Sequence, residues 1–406
     1  MSQQLIEQIK TIQLQPAKKV ALAYSGGLDS TLCIKLLQNF YHTEQVLLIN
    51  VNVGQGAVEI EKARTQASSL DLDVIHLDAE EEFLSEWVSK AIKANSSYGG
   101  YPLATAMTRH LIAKKVTEIA LEHKCDAVSE GTTGKSNDQF RMRNTFELFG
   151  SGIRTIQPIR EFDLSRVDEK QLAEYFGIAY YEAMFGGDDK TIWCRSIASG
   201  AITSLDQIPP DVWIWYVPIE QAKDESTYLD IEFSNGIPIA VDNKEMSLKE
   251  ILNHLNTVGG QNGIGFIDTW EQDVIDVKSR EFYEAPGAVI ILEAHKNLER
   301  VCFPKDELRF KETVDSEWAR LVFNGDWFHP LKADLDAFID KSQEAITGKV
   351  RLMIYKGSIR VIECTSKYSL YKPEIRALQS RGFDQRICGP AAELKALPYR
   401  ILAMRK

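Results

Sequence analysis

Apolar positions in the first third of the chain alternate between short unbroken runs and helical spacing. Val20 to Tyr24 is an apolar run of the kind found in a strand buried on both faces of a parallel sheet. After the Ser25-Gly26-Gly27 turn the spacing becomes helical, with Leu28, Leu32, Leu36 and Phe40 in register and Cys33 and Leu37 beside them. A helix is therefore predicted over 28–40. Val46 to Val53 repeats the strand pattern, followed by Gly54-Gln55-Gly56 and a helix over 57–70. Asp73 to Leu77 predicts a third strand, 80–94 and 103–124 predict helices, and Asp126 to Ser129 predicts a short strand that runs into a Gly/Thr/Ser-rich loop. Strands alternating with helices define an α/β class with a parallel, doubly wound sheet. Ligands in such sheets bind beyond the C-terminal strand ends, where the loops at Ser25, Gly54 and Gly131 all fall. Residues 1–16 predict a short amphipathic helix through Leu5, Ile6, Ile9 and Ile12.

The rhythm changes after about residue 180. Gly186 to Asp189 is a turn cluster and Pro209-Pro210 breaks the chain. Tyr228–Phe233 and Ile237–Val241 flank Ser234-Asn235-Gly236, a hairpin signal. An amphipathic helix is predicted over 247–258, further strands between Gly263 and Tyr283, and a helix-rich stretch over 316–346. Val350–Tyr355 and Ile359–Glu363 flank Lys356-Gly357-Ser358, a second hairpin. This half reads α+β. The last stretch has helix-compatible pieces without a clear core face, as in a tail that packs on another subunit. The expected division is 1–180, 181–370 and a tail, 371–406.

Composition changes this picture little. The 406 residues are 44% apolar and 26% charged, ordinary for a globular chain of two or three domains. A net charge of −11 weighs against a broad nucleic-acid footprint. The six cysteines are scattered without a C-x-x-C pair, and the seven histidines lack metal-ligand spacing. The N-terminus, with Glu7 and Lys10, lacks a signal-peptide core, and no apolar run reaches membrane-span length. These features predict a soluble, cytoplasmic protein with reduced thiols.

Candidate chemistry sits in two loops. Strand, Gly-rich turn and helix N-terminus at residues 20–31 form an arrangement suited to phosphate. The first N–H groups of a helix lack internal partners, and Gly26 and Gly27 let backbone approach closely. Ser25, Ser30 and Thr31 add hydroxyls; the absence of Gly-Lys-Ser/Thr excludes a Walker A loop. The second loop runs Glu130-Gly-Thr-Thr-Gly-Lys-Ser-Asn-Asp-Gln-Phe-Arg141. It gathers N–H donors with Lys135, Asn137, Asp138 and Arg141, although Gly/Ser/Thr/Asn clusters are also ordinary loop formers.

Ser25-Gly-Gly-Leu-Asp29-Ser30 resembles the pyrophosphate loop of the N-type ATP pyrophosphatases. With Thr133-Gly-Lys-Ser-Asn-Asp-Gln139 it resembles the argininosuccinate synthases. The resemblance continues through Asn52-Val-Gly-Gln55, Tyr101-Pro-Leu-Ala-Thr105, Trp193-Cys-Arg-Ser196, Asn262-Gly-Ile-Gly265, Lys278 to Pro286, Phe323 to Trp327, Gly348 to Arg351, Tyr355 to Gly357 and Tyr368 to Tyr371, in family order. It implies an ATP- and Mg²⁺-dependent ligase of arginine biosynthesis that joins citrulline to aspartate through a citrullyl adenylate, releasing AMP and pyrophosphate. It also implies a homotetramer. By the same resemblance ATP would contact Ala23, Tyr24, Ser25, Gly26, Gly27, Leu28, Asp29, Ser30, Thr31, Val51 and Gly131. Aspartate would contact Thr133, Asn137 and Asp138. Citrulline would contact Tyr101, Asn137, Arg141, Ser196, Glu271 and Tyr283. Asp29, Lys135 and Asp138 would serve catalysis, with Asp29 placing Mg²⁺ or ordering its loop. The chain departs from the family where two serines stand as Ala106 and Gly187, a glutamate as Ala198, a histidine as Glu130 and an arginine as Phe266. Two alternatives therefore stay open: a paralogue that adenylates another ureido or carboxylate substrate, and a non-catalytic adenylate binder.

Overall fold

A computed structural model of the chain describes residues 2–180, 185, 187–198, 200–203, 208 and 212–405. The chain opens with helix α1 (Ser2–Lys10), which buries Ile6 and Ile9 but stops before Ile12, left 40% exposed. Five parallel strands follow: β1 (Lys19–Ala23), β2 (Gln45–Asn52), β3 (Val74–Asp78), β4 (Ala127–Ser129) and β5 (Arg154–Ile156). They pair in the order β3-β2-β1-β4-β5, so the apolar run Val20-Ala21-Leu22 lies at the centre and is fully buried. Between them run α2 (Leu28–Phe40), α3 (Ala57–Ser68), a helical segment made of α4 (Glu80–Glu82), a π-helical stretch (Phe83–Val88) and α5 (Ser89–Lys93), then α6 (Thr105–Glu122) and α7 (Asp138–Phe149). Helices α8 (Pro158–Glu161) and α9 (Arg166–Tyr175) close this half. The strand order reverses direction at β1 and β4, and both candidate loops leave the sheet at that switch point.

The second half carries two antiparallel sheets. β6 (Gly187–Lys190) and β7 (Arg195–Ala198) join β11 (Phe266–Gln272) and β12 (Lys278–Glu284) in the order β11-β12-β7-β6. The other sheet, β10-β9-β8-β13-β14, holds β8 (Thr227–Ser234), β9 (Ile237–Val241), β10 (Lys244–Glu245), β13 (Gly348–Tyr355) and β14 (Ser358–Thr365). The two hairpins expected from the sequence turn at Asn235-Gly236 (φ 48° and 80°) and Lys356-Gly357 (φ 40° and 79°). Two successive positive φ values match the twist of the flanking strands. Helices α10 (Leu248–Gln261), α11 (Pro286–Cys302), α12 (Lys305–Asn324) and α13 (Pro330–Ser342) pack this half, and α14 (Pro373–Arg376) and α15 (Cys388–Ala403) form the tail.

One buried cluster runs from Ala21 and Val128 of the parallel sheet through Trp193 and Tyr283 to Ile291 and Ile354, so both halves share a core. Trp193 donates its indole N–H to Leu103 O at 3.1 Å, tying β6–β7 to the start of α6. A second cluster covers the other face of the parallel sheet with Ile6, Leu22, Leu32, Leu36 and Leu172.

The structure corrects several sequence expectations. Gly187 to Asp189 is strand β6, not a turn, because the segment pairs residue by residue with β7; Gly186 and the Pro209-Pro210 break lie outside the described residues. The predicted helix over 80–94 contains the π-helical turn. The 316–346 stretch is helix-rich as expected: the end of α12, α13 and a short 3₁₀ turn.

Between α5, α11 and α12 lies a buried ionic cluster. Lys311 Nζ contacts Asp315 Oδ1 at 2.7 Å and Glu299 Oε1 at 3.1 Å, and donates to Lys93 O at 2.7 Å. Asn95 donates to both carboxylates. Removing one member of such a cluster leaves buried charge uncompensated. Lys311→Ala is expected to destabilise the fold by ~3–5 kcal/mol, measured as a lower urea midpoint. A loss under ~1 kcal/mol would contradict the assignment.

Candidate active site

The phosphate loop follows directly from its sequence. Gly26 has φ +80°, and a Cβ there would stand 2.5 Å from Ala63 Cα, so only glycine lets α3 pack this close. No side chain caps α2 at Gly27, which leaves its first N–H groups turned to the loop. The Ser25 and Ser30 hydroxyls lie 3.1 Å apart, and the Tyr24 hydroxyl lies 3.4 Å from Thr31 Oγ1. Behind the loop, Tyr24 N–H donates to Ile49 O and Asn50 donates to Tyr24 O, holding Ala23, Tyr24 and buried Val51 in register. Asp29 projects from the first turn of α2 and is ion-paired to Arg166 of α9. Arg166 also lies 2.6 Å from Glu169, whose carboxyl burial and then the Asp29 charge push up to about 8.

The second loop is fixed against the first. A Cβ on Gly131 would stand 3.1 Å from Asp29 C and Ser30 N, so this glycine lets the loop lie on the peptide that opens α2. Glu130 is 2% exposed. It accepts from the Thr132 backbone, from Thr132 Oγ1 at 2.7 Å and from Gln157 Nε2. Thr133 accepts from Lys135 N–H at 3.4 Å, and Lys135 itself stands exposed at the loop tip. Asn137 Oδ1 accepts from Val274 N–H at 2.9 Å, which ties the loop to the β11–β12 hairpin of the second half.

Asp138 opens α7 with two ion pairs, to Arg109 Nε at 2.6 Å and to Arg141 Nη1 at 2.8 Å. Burial alone would raise its pKa; the two guanidinium groups overcome that and hold it below the ordinary aspartate value. Arg109 reaches on to Asp189 of β6 at 2.7 Å. Arg141 is buried, lies over the Phe323 ring and donates from Nε and Nη2 to the Phe323 carbonyl. Three of its N–H donors are thus committed to the chain itself, which leaves two for a substrate carboxylate.

The third component is one face of the four-stranded sheet. Register places Asp189, Ser196, Tyr283 and Ile267 in one row and Gly187, Ala198, Glu281 and Thr269 in the next, all on one face. Tyr101 stacks on Tyr283 with ring centroids 3.8 Å apart. Tyr283 donates to Glu271 Oε2 at 2.8 Å. Burial raises the Glu271 carboxyl pKa, against the lowering hydrogen bonds of Tyr101 and Tyr283. Ser196 is half-buried in the same row.

The departures from the family fall into place here. Gly187 and Ala198 are direct cross-strand partners, so their losses are one paired change. Ala106 is packed in the core near the start of α6. Thr108 beside it donates to Thr105 O at 3.1 Å. Phe266 lies on the opposite sheet face, against Trp213, Tyr216 and Phe282, and does not belong to the site.

Comparison with known proteins follows this geometry. The argininosuccinate synthase N-terminal HUP domain matches residues 19–179, and the C-terminal domain of the same family matches 187–402. The chain belongs to the argininosuccinate synthase family. The argininosuccinate synthase of Methanocaldococcus jannaschii is 41% identical over 389 residues, 95% of this chain and 98% of its own length. That of Methanopyrus kandleri is 40% identical over 393 residues, covering 96% and 99%. That of Methanococcus maripaludis is 40% identical over 374 residues, covering 91% and 94%.

Sequence reasoning missed Arg109, Arg166, Gln157 and Glu281. Arg109 and Arg166 sit in helices whose periodicity marks only a core face, and their acidic partners are 29 and 137 residues away. Glu281 is separable only through strand register.

The Asp138 pairs generate a pH prediction. A depressed carboxyl pKa stabilises the fold above the unfolded value of 3.8 and loses that contribution as pH falls through the folded value. Asp138→Asn should therefore unfold at lower urea than the parent at pH 7, with the gap narrowing below pH ~4. A gap independent of pH would contradict the assignment.

Proposed function

We propose that the protein is an argininosuccinate synthase: it condenses citrulline with aspartate at the expense of ATP, giving argininosuccinate, AMP and pyrophosphate. The observation that carries the reading is the double attachment of the 130–141 loop. It rests on the Asp29–Ser30 peptide through Gly131 and on the β11–β12 hairpin through Asn137. A nucleotide on the first loop and an amino acid on the sheet face then meet at one segment.

In this reading the ureido oxygen of citrulline attacks the α-phosphorus and pyrophosphate leaves. The aspartate amine next attacks the ureido carbon, loses a proton, and AMP departs with the former ureido oxygen. Both steps depend on positioning and on charge stabilisation of the leaving group rather than on a covalent enzyme intermediate. The N–H groups at Gly26 to Ser30 and the hydroxyls of Ser25, Ser30 and Thr31 receive the pyrophosphate end. Thr133, Asn137 and Asp138 receive aspartate, and Lys135 reaches the phosphates from the loop tip. Tyr101, Tyr283, Ser196, Glu271 and the remaining donors of Arg141 receive citrulline. Asp29, exchanging its Arg166 ion pair, would hold Mg²⁺ together with the substrate phosphates, and the ion would neutralise the developing charge on pyrophosphate. A homotetramer fits the tail, where α15 leaves Leu394, Leu397, Tyr399, Ile401 and Leu402 exposed. The side-chain-poor pair Gly187–Ala198 is the one observation that favours a different ureido or carboxylate substrate.

Purified protein with ATP and Mg²⁺ is expected to release AMP and pyrophosphate only when citrulline and aspartate are both present. Turnover with another ureido compound but not citrulline would support the paralogue; ATP binding without pyrophosphate release would support the binder. Asp29→Ala is expected to lower turnover at least ~100-fold, the scale of losing one transition-state charge contact, with the circular dichroism spectrum unchanged. Unaltered turnover in that variant would remove Asp29 from the mechanism.

A further inference from the structure

Glu281 stands apart from the other carboxylates of the site face. Glu271 accepts from Tyr283 and Asp189 is paired with Arg109. Glu281 is 8% exposed, and among the described residues it has no ion pair; the Ser279 hydroxyl on its own strand is its hydrogen-bonding neighbour. It stands one row from Tyr283, between Thr269 on β11 and Ala198 on β7. On that side the described sheet continues as Ala198 and Gly187, and among the described residues a Cβ on Gly187 would come no closer than 3.6 Å, to Ala198 Cβ. A buried carboxylate thus borders two strand positions that carry no side chain beyond a Cβ. The charged groups nearest to it are acidic: Glu271 from β11 and Asp138 from α7, the latter already held by Arg109 and Arg141. Burial, and then these two charges against the opposing Ser279 hydrogen bond, push its carboxyl up to about 8. An uncompensated buried carboxylate is costly, and a cation placed between it and Glu271 removes the repulsion.

We propose that Glu281 and Glu271 together clamp the ammonium group of the ureido amino acid, Glu281 supplying the carboxylate that Ala198 lacks. The inference rests on the functional reading above and extends it to a residue to which the family resemblance gives no role. The Tyr283 hydroxyl, 2.8 Å from Glu271, borders the same place. Because the free carboxyl is largely protonated at neutral pH, ammonium binding also releases a proton to solvent.

The test uses the full-length protein and Glu281→Gln, which keeps shape and removes charge. The KM for citrulline is expected to rise about tenfold or more, the scale of one lost charged hydrogen bond, while the KM for ATP stays put. Citrulline binding to the parent is expected to release a proton, read by calorimetry in buffers of different ionisation enthalpy, and the variant should release less. Placing a carboxylate across the ladder with Ala198→Glu should restore the citrulline KM of the variant. An unchanged citrulline KM with unchanged proton release would overturn the clamp. A parent protein that ignores citrulline but acts on another ammonium-bearing ureido compound, with the same loss in Glu281→Gln, would retire the functional reading and keep the clamp. Activity confined to ureido acids without an ammonium group would overturn both.

Discussion

The contact between Gly131 and the Asp29–Ser30 peptide is the constraint on which the site depends. Both partners are backbone, and a side chain at 131 would crowd the first turn of α2 at 3.1 Å. Through it the loop after β4 inherits the position of the phosphate loop after β1. Through Asn137 and Val274 the same loop fixes the β11–β12 hairpin, and through Asp138, Arg109 and Asp189 it reaches β6. The parallel sheet and the antiparallel sheet are thus joined by a continuous core and by a chain of polar links that passes through the site.

Those links trade freedom for position. Asp138 spends its charge on two arginines, Asp29 on Arg166, and Arg141 most of its donors on Asp138 and Phe323. Side chains locked this way hold a substrate with little loss of entropy on binding, which suits a reaction limited by bringing three substrates into line. Glu281 is the exception on the site face: among the described residues its carboxylate has neither an ion pair nor a hydrogen bond from beyond its own strand, and for that reason it carries the further inference.

Much of the fold was legible in the sequence because its signals are local. The Val20–Tyr24 run and the helical spacing from Leu28 to Phe40 gave β1 and α2 almost to the residue. Asn235-Gly236 and Lys356-Gly357 marked their hairpins through the positive φ that those turns require. The Gly-rich loop after β1 was legible as a motif, and Tyr101, Tyr283 and Glu271, named through the family resemblance, are brought together by the fold. Strand β6 was not, because Gly187-Asp-Asp has poor strand propensity and is held by pairing with β7, a tertiary effect. Arg109, Arg166 and Glu281 were hidden for a related reason: their roles follow from register and from contacts far apart in sequence. The change to Phe266 looked like a lost polar site group and is instead part of an aromatic cluster on the far side of the sheet.

The most direct test follows one oxygen atom. If the two loops bring the ureido group of citrulline to the α-phosphorus of ATP, that oxygen must leave with AMP. Turnover of citrulline labelled with ¹⁸O in the ureido group, in the presence of ATP and aspartate, is predicted to place the label in the AMP phosphate, as read by mass spectrometry. AMP without the label, formed at the same rate as argininosuccinate, would contradict the account.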